Sequence, residues 1–94
     1  MNQQLDDLRK QIDVLDEKIL ISIAKRVNIV RKIGKYKKER KLSVFDKKRW
    51  DQILKSNLEK GRKLNLSEEF IKNLLNLIHK YSLDIQEKIN NEHD

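Results

Sequence analysis

The chain has 94 residues, and we expect a single helical domain over residues 1–94. Lysine and arginine outnumber the acidic residues by 22 to 15, so the net charge of +7 favours an anionic partner without identifying it. Cysteine is absent, which excludes disulfides and thiolate zinc sites. The two histidines, His79 and His93, are not spaced as metal ligands, and we expect His79 at the surface. The sequence therefore predicts no metal site.

No stretch of the sequence resembles a membrane anchor. Residues 1–4 are polar and lack the apolar core of a secretion signal. No run approaches the roughly 18 consecutive apolar residues of a membrane-spanning helix. We therefore expect a cytoplasmic protein with no membrane partner.

The first predicted helix runs from about Gln3 to about Arg40, because the segment has no proline and a single glycine. Apolar residues recur along it at heptad spacing and form a stripe, called here the heptad stripe: Leu5, Leu8, Ile12, Leu15, Ile19, Ile29 and Ile33. A helix of about 36 residues is roughly 54 Å long, whereas a compact chain of this size is about 30 Å across. The stripe therefore predicts burial against a second copy, most simply in a two-fold homodimer.

Two shorter helices are predicted after the first. Ser43-x-x-Asp46 is typical of a capping box and predicts a second helix from near Val44, with Gly61 as its C-terminal cap. Ser67, followed by two glutamates, predicts the start of a third helix. The expected fold is all-α, with one long and two shorter helices per chain.

Two cations interrupt the apolar side of the first helix. Arg26 stands in the heptad series, and Lys37 follows 11 residues later. This places Lys37 about three turns and 16 Å further along nearly the same face. Because a buried charge needs a partner of opposite sign, the pair predicts a buried anion site. Alternatively, Arg26 could pair with a carboxylate of the partner chain, and Lys37 could snorkel to the surface. Gly34 favours the site because it permits close backbone approach one turn before Lys37.

Further candidate side chains lie on the predicted helices. Arg9 flanks the heptad stripe, whereas Asp46 and Arg49 lie at the start of the second helix. Ser82 and Gln86 are four residues apart on the third helix, and a buried glutamine would need hydrogen-bond partners. Solvent exposure or helix capping would explain each of these residues individually. No nucleophile with an adjacent base is visible, so any reaction would depend on positioning and electrostatics.

Five different motifs follow one another along the chain: Leu8-Arg9-x-x-Ile12-Asp13-x-Leu15-Asp16-x-x-Ile19, Ala24-x-Arg26, Ile33-Gly34-x-x-Lys37, Asp46-x-x-Arg49 and Ser82-x-x-x-Gln86. Together they resemble the all-helical (AroQ-type) chorismate mutases over nearly the whole chain. The resemblance implies an intertwined homodimer of three-helix chains with two equivalent active sites. It also implies rearrangement of chorismate to prephenate, without a cofactor, in the route to phenylalanine and tyrosine.

The resemblance assigns roles to seven residues. Lys37 and Gln86 would be catalytic, because both could donate to the ether oxygen of chorismate, where negative charge grows in the transition state. The other five would bind this dicarboxylate: Arg9 from the partner chain, and Arg26, Asp46, Arg49 and Ser82 from one chain. Arginines suit this task because their planar guanidinium groups bind carboxylates in a bidentate manner.

One position departs from the family pattern. Directly after Asp46-x-x-Arg49 the family usually has a glutamate that helps to hold the substrate hydroxyl, whereas this chain has Trp50. Asp51 follows, but it points about 100° away around the helix. Trp50 therefore either extends the apolar face of the second helix or indicates a lost or relocated hydroxyl contact.

Two alternatives remain open. An isochorismate-pyruvate lyase of the same fold would use a similar lysine and similar arginines; Asp46-x-x-Arg49 favours the mutase, and Trp50 weakens that preference. The other alternative is a non-catalytic regulatory or binding dimer. A basic cluster would suit nucleic acid: Arg31, Lys32, Lys35, Lys38, Arg40, Lys41, Lys47 and Lys48. Nucleic acid is the weaker alternative, since aromatic residues are 5% of the chain and no helix-turn-helix spacing is present.

Overall fold

The computed structural model describes residues 2–92 and contains three helices: α1 (Gln3–Glu39), α2 (Lys47–Lys63) and α3 (Glu68–Asn90). No strand occurs in this part of the chain, so the predicted all-α fold is confirmed. α3 packs against both α1 and α2. None of the helices between residues 2 and 92 combines the length and apolar character needed to span a membrane. The expectation for His93 concerns a position outside the described residues.

α3 lies alongside the C-terminal part of α1 and runs in the same direction. The side chain of Arg26 contacts Ser82, and three turns later the side chain of Lys38 contacts the backbone of Glu92. The two helices approach each other closely at Gly34, which is buried. A Cβ atom at Gly34 would lie 3.4 Å from the backbone of α3. The close approach that the sequence predicted at this glycine is therefore confirmed.

α2 begins later than predicted. Asp46 is its N-cap, and the Asp46 carboxylate accepts a hydrogen bond from the backbone N–H of Arg49 at 3.1 Å. The Ser43 hydroxyl does not cap the helix but donates to the carbonyl oxygen of Phe45 at 3.0 Å. Val44 is buried, and its carbonyl oxygen accepts a hydrogen bond from a lysine side chain of α1. The predicted capping box starting at Ser43 is wrong, because these contacts hold residues 43–45 outside the helix.

Gly61 is not the C-terminal cap of α2, so that prediction is also wrong. The helix continues past Gly61 to its cap at Leu64, and Asn65 then adopts the left-handed conformation with φ of 60°. Gly61 is buried against α3, where a Cβ atom would lie 2.8 Å from Cγ1 of Ile71. The glycine therefore serves helix packing, and the asparagine ends the helix.

The predicted start of α3 is confirmed. Ser67 is the N-cap, and its hydroxyl oxygen accepts a hydrogen bond from the backbone N–H of Phe70 at 3.3 Å. Glu68 and Glu69 occupy the first turn, where the positive end of the helix dipole stabilises negative charge.

The heptad stripe has little cover in a single chain. Ile12, Leu15 and Ile19 are 55%, 52% and 56% exposed. The radius of gyration is 17.3 Å, and the longest dimension is 60 Å. A compact chain of this length would have a radius of gyration of about 12 Å. The single chain therefore leaves much of its longest helix unpaired, and the homodimer stays a prediction.

Candidate active site

The three helices surround a cavity of about 200 Å³. Six of the seven residues that the sequence singled out line it: Arg26, Lys37, Asp46, Arg49, Ser82 and Gln86. They come from all three helices and from the cap of α2, so the fold brings together positions that are up to 60 residues apart in the sequence. Apolar side chains such as Val30 and Ile53 line the remaining wall.

Lys37 and Gln86 form one hydrogen-bonded pair at this cavity. The Lys37 ammonium donates to Oε1 of Gln86 at 2.9 Å and to the carbonyl oxygen of Val44 at 2.6 Å. These two acceptors take two of its three hydrogens and fix its position. Gln86 is buried, and because its oxygen already accepts from Lys37, its amide nitrogen is left to donate elsewhere. The pair can therefore present two donors to one acceptor in the cavity.

Arg26 and Ser82 form a second polar contact between α1 and α3. Nη1 of Arg26 donates to the Ser82 hydroxyl, which in turn donates to the carbonyl oxygen of Ile78 at 2.9 Å. Ser82 is buried, so this chain of hydrogen bonds fixes the guanidinium group. Burial and, to a smaller extent, the positive charge of Arg49 lower the pKa of Arg26. A guanidinium group nevertheless stays charged at neutral pH, so the positive charges of the two arginines favour binding of an anion.

The charges around the cavity are unequal. Arg26, Lys37 and Arg49 each contribute a positive charge, and Asp46 is the single carboxylate in the lining. The lining therefore carries two net positive charges when its histidine is neutral. A ligand with two carboxylates would balance this charge, and the arginines supply the planar donors that such groups prefer.

The prediction that His79 is a surface residue is wrong. Its imidazole ring lines the cavity and stacks on the indole of Trp50, with ring centroids 4.1 Å apart and an angle of 17° between the planes. Phe45 packs edge-on against the same imidazole at 5.9 Å. The Nε2 atom of His79 is buried and has no hydrogen-bond partner among residues 2–92. His79 therefore belongs to the candidate site, and Trp50 both lines the cavity and supports the histidine.

Burial and neighbouring cations both favour the neutral form of His79. Burial lowers the pKa of its imidazole below the ordinary value of 6.5, and the positive charges of Arg26 and Lys37 lower it further. The sequence held a signal for this placement that our prediction did not use. His79 precedes Ser82 by three residues and Gln86 by seven, which is the spacing of one helix face.

Arg9 does not line this cavity. It is exposed on α1, 17 residues before Arg26, which corresponds to about 25 Å along the helix. Its side chain cannot span that distance, so any contribution to the site requires a second copy of the chain. Its predicted role, like the roles of the other six residues, stays a prediction.

No group of three or more histidine, aspartate or glutamate side chains within residues 2–92 is arranged to hold a metal ion. The cavity itself presents fixed cations and hydrogen-bond donors. These features define an all-helical domain with a predominantly cationic cavity.

The comparison with protein families agrees with this class. The sequence model of the family described as chorismate mutase type II matches residues 8–87, which is most of the chain. The chain belongs to this family. The family predicted from the sequence is thereby confirmed.

Two bacterial relatives show the same relationship. A protein of Buchnera aphidicola named bifunctional chorismate mutase/prephenate dehydratase is 34% identical over 88 residues, which cover 94% of this chain and 23% of the relative. A protein of Haemophilus influenzae named T-protein is 30% identical over 73 residues, which cover 78% of this chain and 19% of the relative. The chain thus spans less than a quarter of the length of these relatives.

Proposed function

We propose that the chain catalyses the rearrangement of chorismate to prephenate, in the biosynthesis of phenylalanine and tyrosine. The observation that carries this proposal is the Lys37–Gln86 pair beside two arginines in one cavity. Membership of the chorismate mutase type II family supports it, and so does the similarity to the Buchnera aphidicola protein named bifunctional chorismate mutase/prephenate dehydratase.

The chemistry of the reaction suits this set of residues. In chorismate the ether bond to the enolpyruvyl group breaks while a carbon–carbon bond forms between the same two fragments. All atoms remain in one molecule, and no proton or electron is exchanged with the protein. The enzyme has to hold the flexible arm over the ring and to stabilise the negative charge that builds on the ether oxygen. Lys37 and Gln86 would donate hydrogen bonds to the ether oxygen as this charge develops. They would therefore lower the activation barrier more than they improve substrate binding.

The remaining residues would bind and orient the substrate. Arg26 and Arg49 would pair with carboxylates of the substrate, and the hydrogen bond to Ser82 would keep Arg26 in place. Asp46 lies in the same lining and would complete the polar contacts beside its role as helix cap. The two net positive charges of the lining would balance the two carboxylates.

The active unit would be a homodimer with two shared sites. In support, the single chain leaves Ile12, Leu15 and Ile19 more than half exposed along one face of α1. Pairing of two such faces would bury the heptad stripe and remove apolar surface from water. An antiparallel pairing of two α1 helices would bring Arg9 of one copy towards the middle of the other, where Arg26 lies.

Activity is tested by following loss of chorismate spectrophotometrically and identifying the product. The same preparation is offered isochorismate, because release of pyruvate from isochorismate would favour the lyase of the same fold. Prephenate from chorismate supports the proposal, and turnover of neither substrate by the folded protein contradicts it in favour of a binding module. Lys35→Ala is a matched control for Lys37→Ala, since Lys35 is an exposed lysine half a turn away on α1 and is absent from the cavity lining.

Sharing of the site is tested by mixing two inactive variants. Arg9→Ala and Lys37→Ala chains are refolded together, so that a mixed dimer contains one site with neither defect. Random pairing should give about a quarter of the parent activity, because half of the dimers are mixed and half of their sites are intact. No recovery in dimers verified to be mixed would count against the placement of Arg9 in the site of the partner chain.

The remaining expectations from the sequence stay predictions. These are a single domain over residues 1–94, a cytoplasmic location and the absence of nucleic acid and membrane partners. Titration with duplex DNA at increasing salt addresses the nucleic-acid alternative, since binding through the basic cluster would weaken steeply as salt rises.

A further inference from the structure

One polar atom at the cavity is left unexplained by the proposed function. Nε2 of His79 is buried and lacks a hydrogen-bond partner in the described part of the chain. A buried polar atom without a partner is costly, and native proteins retain few of them. Its ring belongs to the lining of the same cavity as Lys37 and Gln86. A bound ligand is therefore a natural partner for this atom.

The protonation state of His79 limits which chemical groups of a ligand could form a hydrogen bond with Nε2. The groups that face the same cavity are Arg26 and Lys37 from α1, Asp46 and Arg49 from the start of α2, and Ser82 and Gln86 from α3 itself. Burial lowers the pKa of the imidazole, and the cations among these groups lower it further, so the neutral form of His79 is favoured. Nε2 is then either one donor or one acceptor, depending on the tautomer.

A hydroxyl group is the ligand that fits either tautomer. It can donate to an unprotonated nitrogen and accept from a protonated one, so it satisfies Nε2 in both cases. A carboxylate accepts only, and the arginines of the site already provide donors for carboxylates. The unpaired nitrogen therefore selects a hydroxyl-bearing ligand over one that has carboxylates alone.

We propose that His79 binds the ring hydroxyl of the substrate through Nε2 and so replaces the glutamate that this chain lacks at Trp50. The inference rests on the proposed function and adds a residue to it. Trp50 then has a supporting role: its indole lies flat against the imidazole, 4.1 Å between centroids, and holds the ring in one plane.

A ligand could reach the buried nitrogen only after a neighbouring side chain moves, and Phe45 is the neighbour that we expect to move. Its ring packs edge-on against His79, is 47% exposed and belongs to the connection between α1 and α2. A side chain in that position can change rotamer without unpacking a helix, and such changes are common on binding. The stacked Trp50 lies within α2 and keeps its place.

The experiment compares two substrates on two proteins. The substrates are chorismate and an analogue in which hydrogen replaces the ring hydroxyl, and the proteins are the parent and His79→Leu. The parent should lose about ten-fold in kcat/KM on the analogue, because the buried nitrogen is again unpaired. His79→Leu should be about ten-fold worse than the parent on chorismate and should treat the two substrates alike. Circular dichroism and sedimentation confirm that the variant is folded and assembled.

Two further variants separate hydrogen bonding from packing. His79→Gln can place a polar amide atom near the position of Nε2, whereas His79→Asn reaches only the position of Nδ1. Preference for the hydroxyl should persist in His79→Gln and vanish in His79→Asn. In the His79→Leu background, Trp50→Glu should restore the preference, because a carboxylate would again accept from the hydroxyl. The same change in the parent should bring little gain, since His79 already holds that group.

The outcomes distinguish this inference from the proposed function. If the parent converts chorismate but His79→Leu loses equal factors on both substrates, His79 is structural and the inference is wrong. If the parent does not discriminate between the substrates, nothing holds the hydroxyl and the inference is again overturned. If the folded parent does not convert chorismate at all, the proposed function fails first and the inference fails with it.

Discussion

The two halves of α1 differ in how far their side chains are buried and hydrogen-bonded within the single chain. In the C-terminal half (residues 24–39), Val30 and Gly34 are buried against α3, and Lys37 has two hydrogen-bond acceptors. In the N-terminal half (residues 3–23), the helix is equally regular, but Ile12 and Ile19 remain more than half exposed. The comparison shows that helical periodicity determines where apolar side chains point, whereas burial depends on a partner element.

The uncovered half is also where the missing arginine of the site lies. Arg9 belongs to the N-terminal half and is too far from the cavity of its own chain to reach it. In the proposed dimer, dimerisation would both cover the heptad stripe and complete the site. Assembly and activity should therefore depend on the same surface, and variants in the two halves should fail in different ways.

The largest effect is expected in the N-terminal half. Ile12→Asp would place a carboxylate on the heptad stripe, and in a symmetric dimer the change occurs twice. Loss of two buried isoleucine contacts costs about 3–6 kcal/mol, or roughly 10²- to 10⁴-fold in the dimer dissociation constant. Sedimentation equilibrium measures this constant. Lys10→Ala, on the opposite side of α1, is the control and should assemble normally; equal assembly of both variants would place the interface elsewhere.

In the C-terminal half, Lys37→Ala should abolish function without affecting assembly. Removing one preorganised donor from a partly buried site costs at least about 10²-fold in turnover. The measurement is kcat for chorismate in a variant shown to be dimeric, beside the Lys35→Ala control. A loss confined to KM would contradict the catalytic role and leave Lys37 as a binding residue.

The pH dependence of activity in Gln86→Glu should show whether the side chain at position 86 donates a hydrogen bond to the substrate or repels its developing charge. The ionised carboxylate would repel the charge that develops on the ether oxygen, whereas its protonated form could still donate. Lys37, 2.9 Å from the Gln86 oxygen in the parent, would favour the ionised form. Activity should therefore be poor at neutral pH and rise about ten-fold or more as pH falls. The parent amide does not titrate, so the parent should show little such pH dependence. Parallel pH profiles for the two proteins would mean that Gln86 does not contact the ether oxygen.

The smallest effect concerns stability and His79. Because the pKa of His79 is lower in the folded chain than its ordinary value of 6.5, the unfolded chain binds more protons below about pH 6.5. The free energy of unfolding should therefore decrease as pH falls from that value towards the folded pKa, and should be flat above it. His79→Gln removes this group, so denaturant unfolding of the variant should depend less on pH over the same range. Equal slopes would mean that His79 titrates alike in both states.

Sequence reasoning was most successful where the signal is local or repeated. The bounds of α1 and the start of α3 at Ser67 follow from heptad spacing and from capping chemistry, which involve neighbours within a few turns. Six predicted site residues meet at one cavity because their spacing places them on facing sides of the helices. The predictions for Ser43 and Gly61 were wrong because each residue suits more than one local role.

By itself, the sequence determined the all-α class, the family and the unpaired face of α1, since these depend on composition, motif spacing and helical period. Only the tertiary structure decided that α2 starts at Lys47, with Asp46 as its N-cap, because Val44 is buried and bound to Lys37 from another helix. It also decided that His79 stacks on Trp50 at the cavity. A stack between residues on different helices depends on how the helices pack, and no local pattern in the chain encodes that contact.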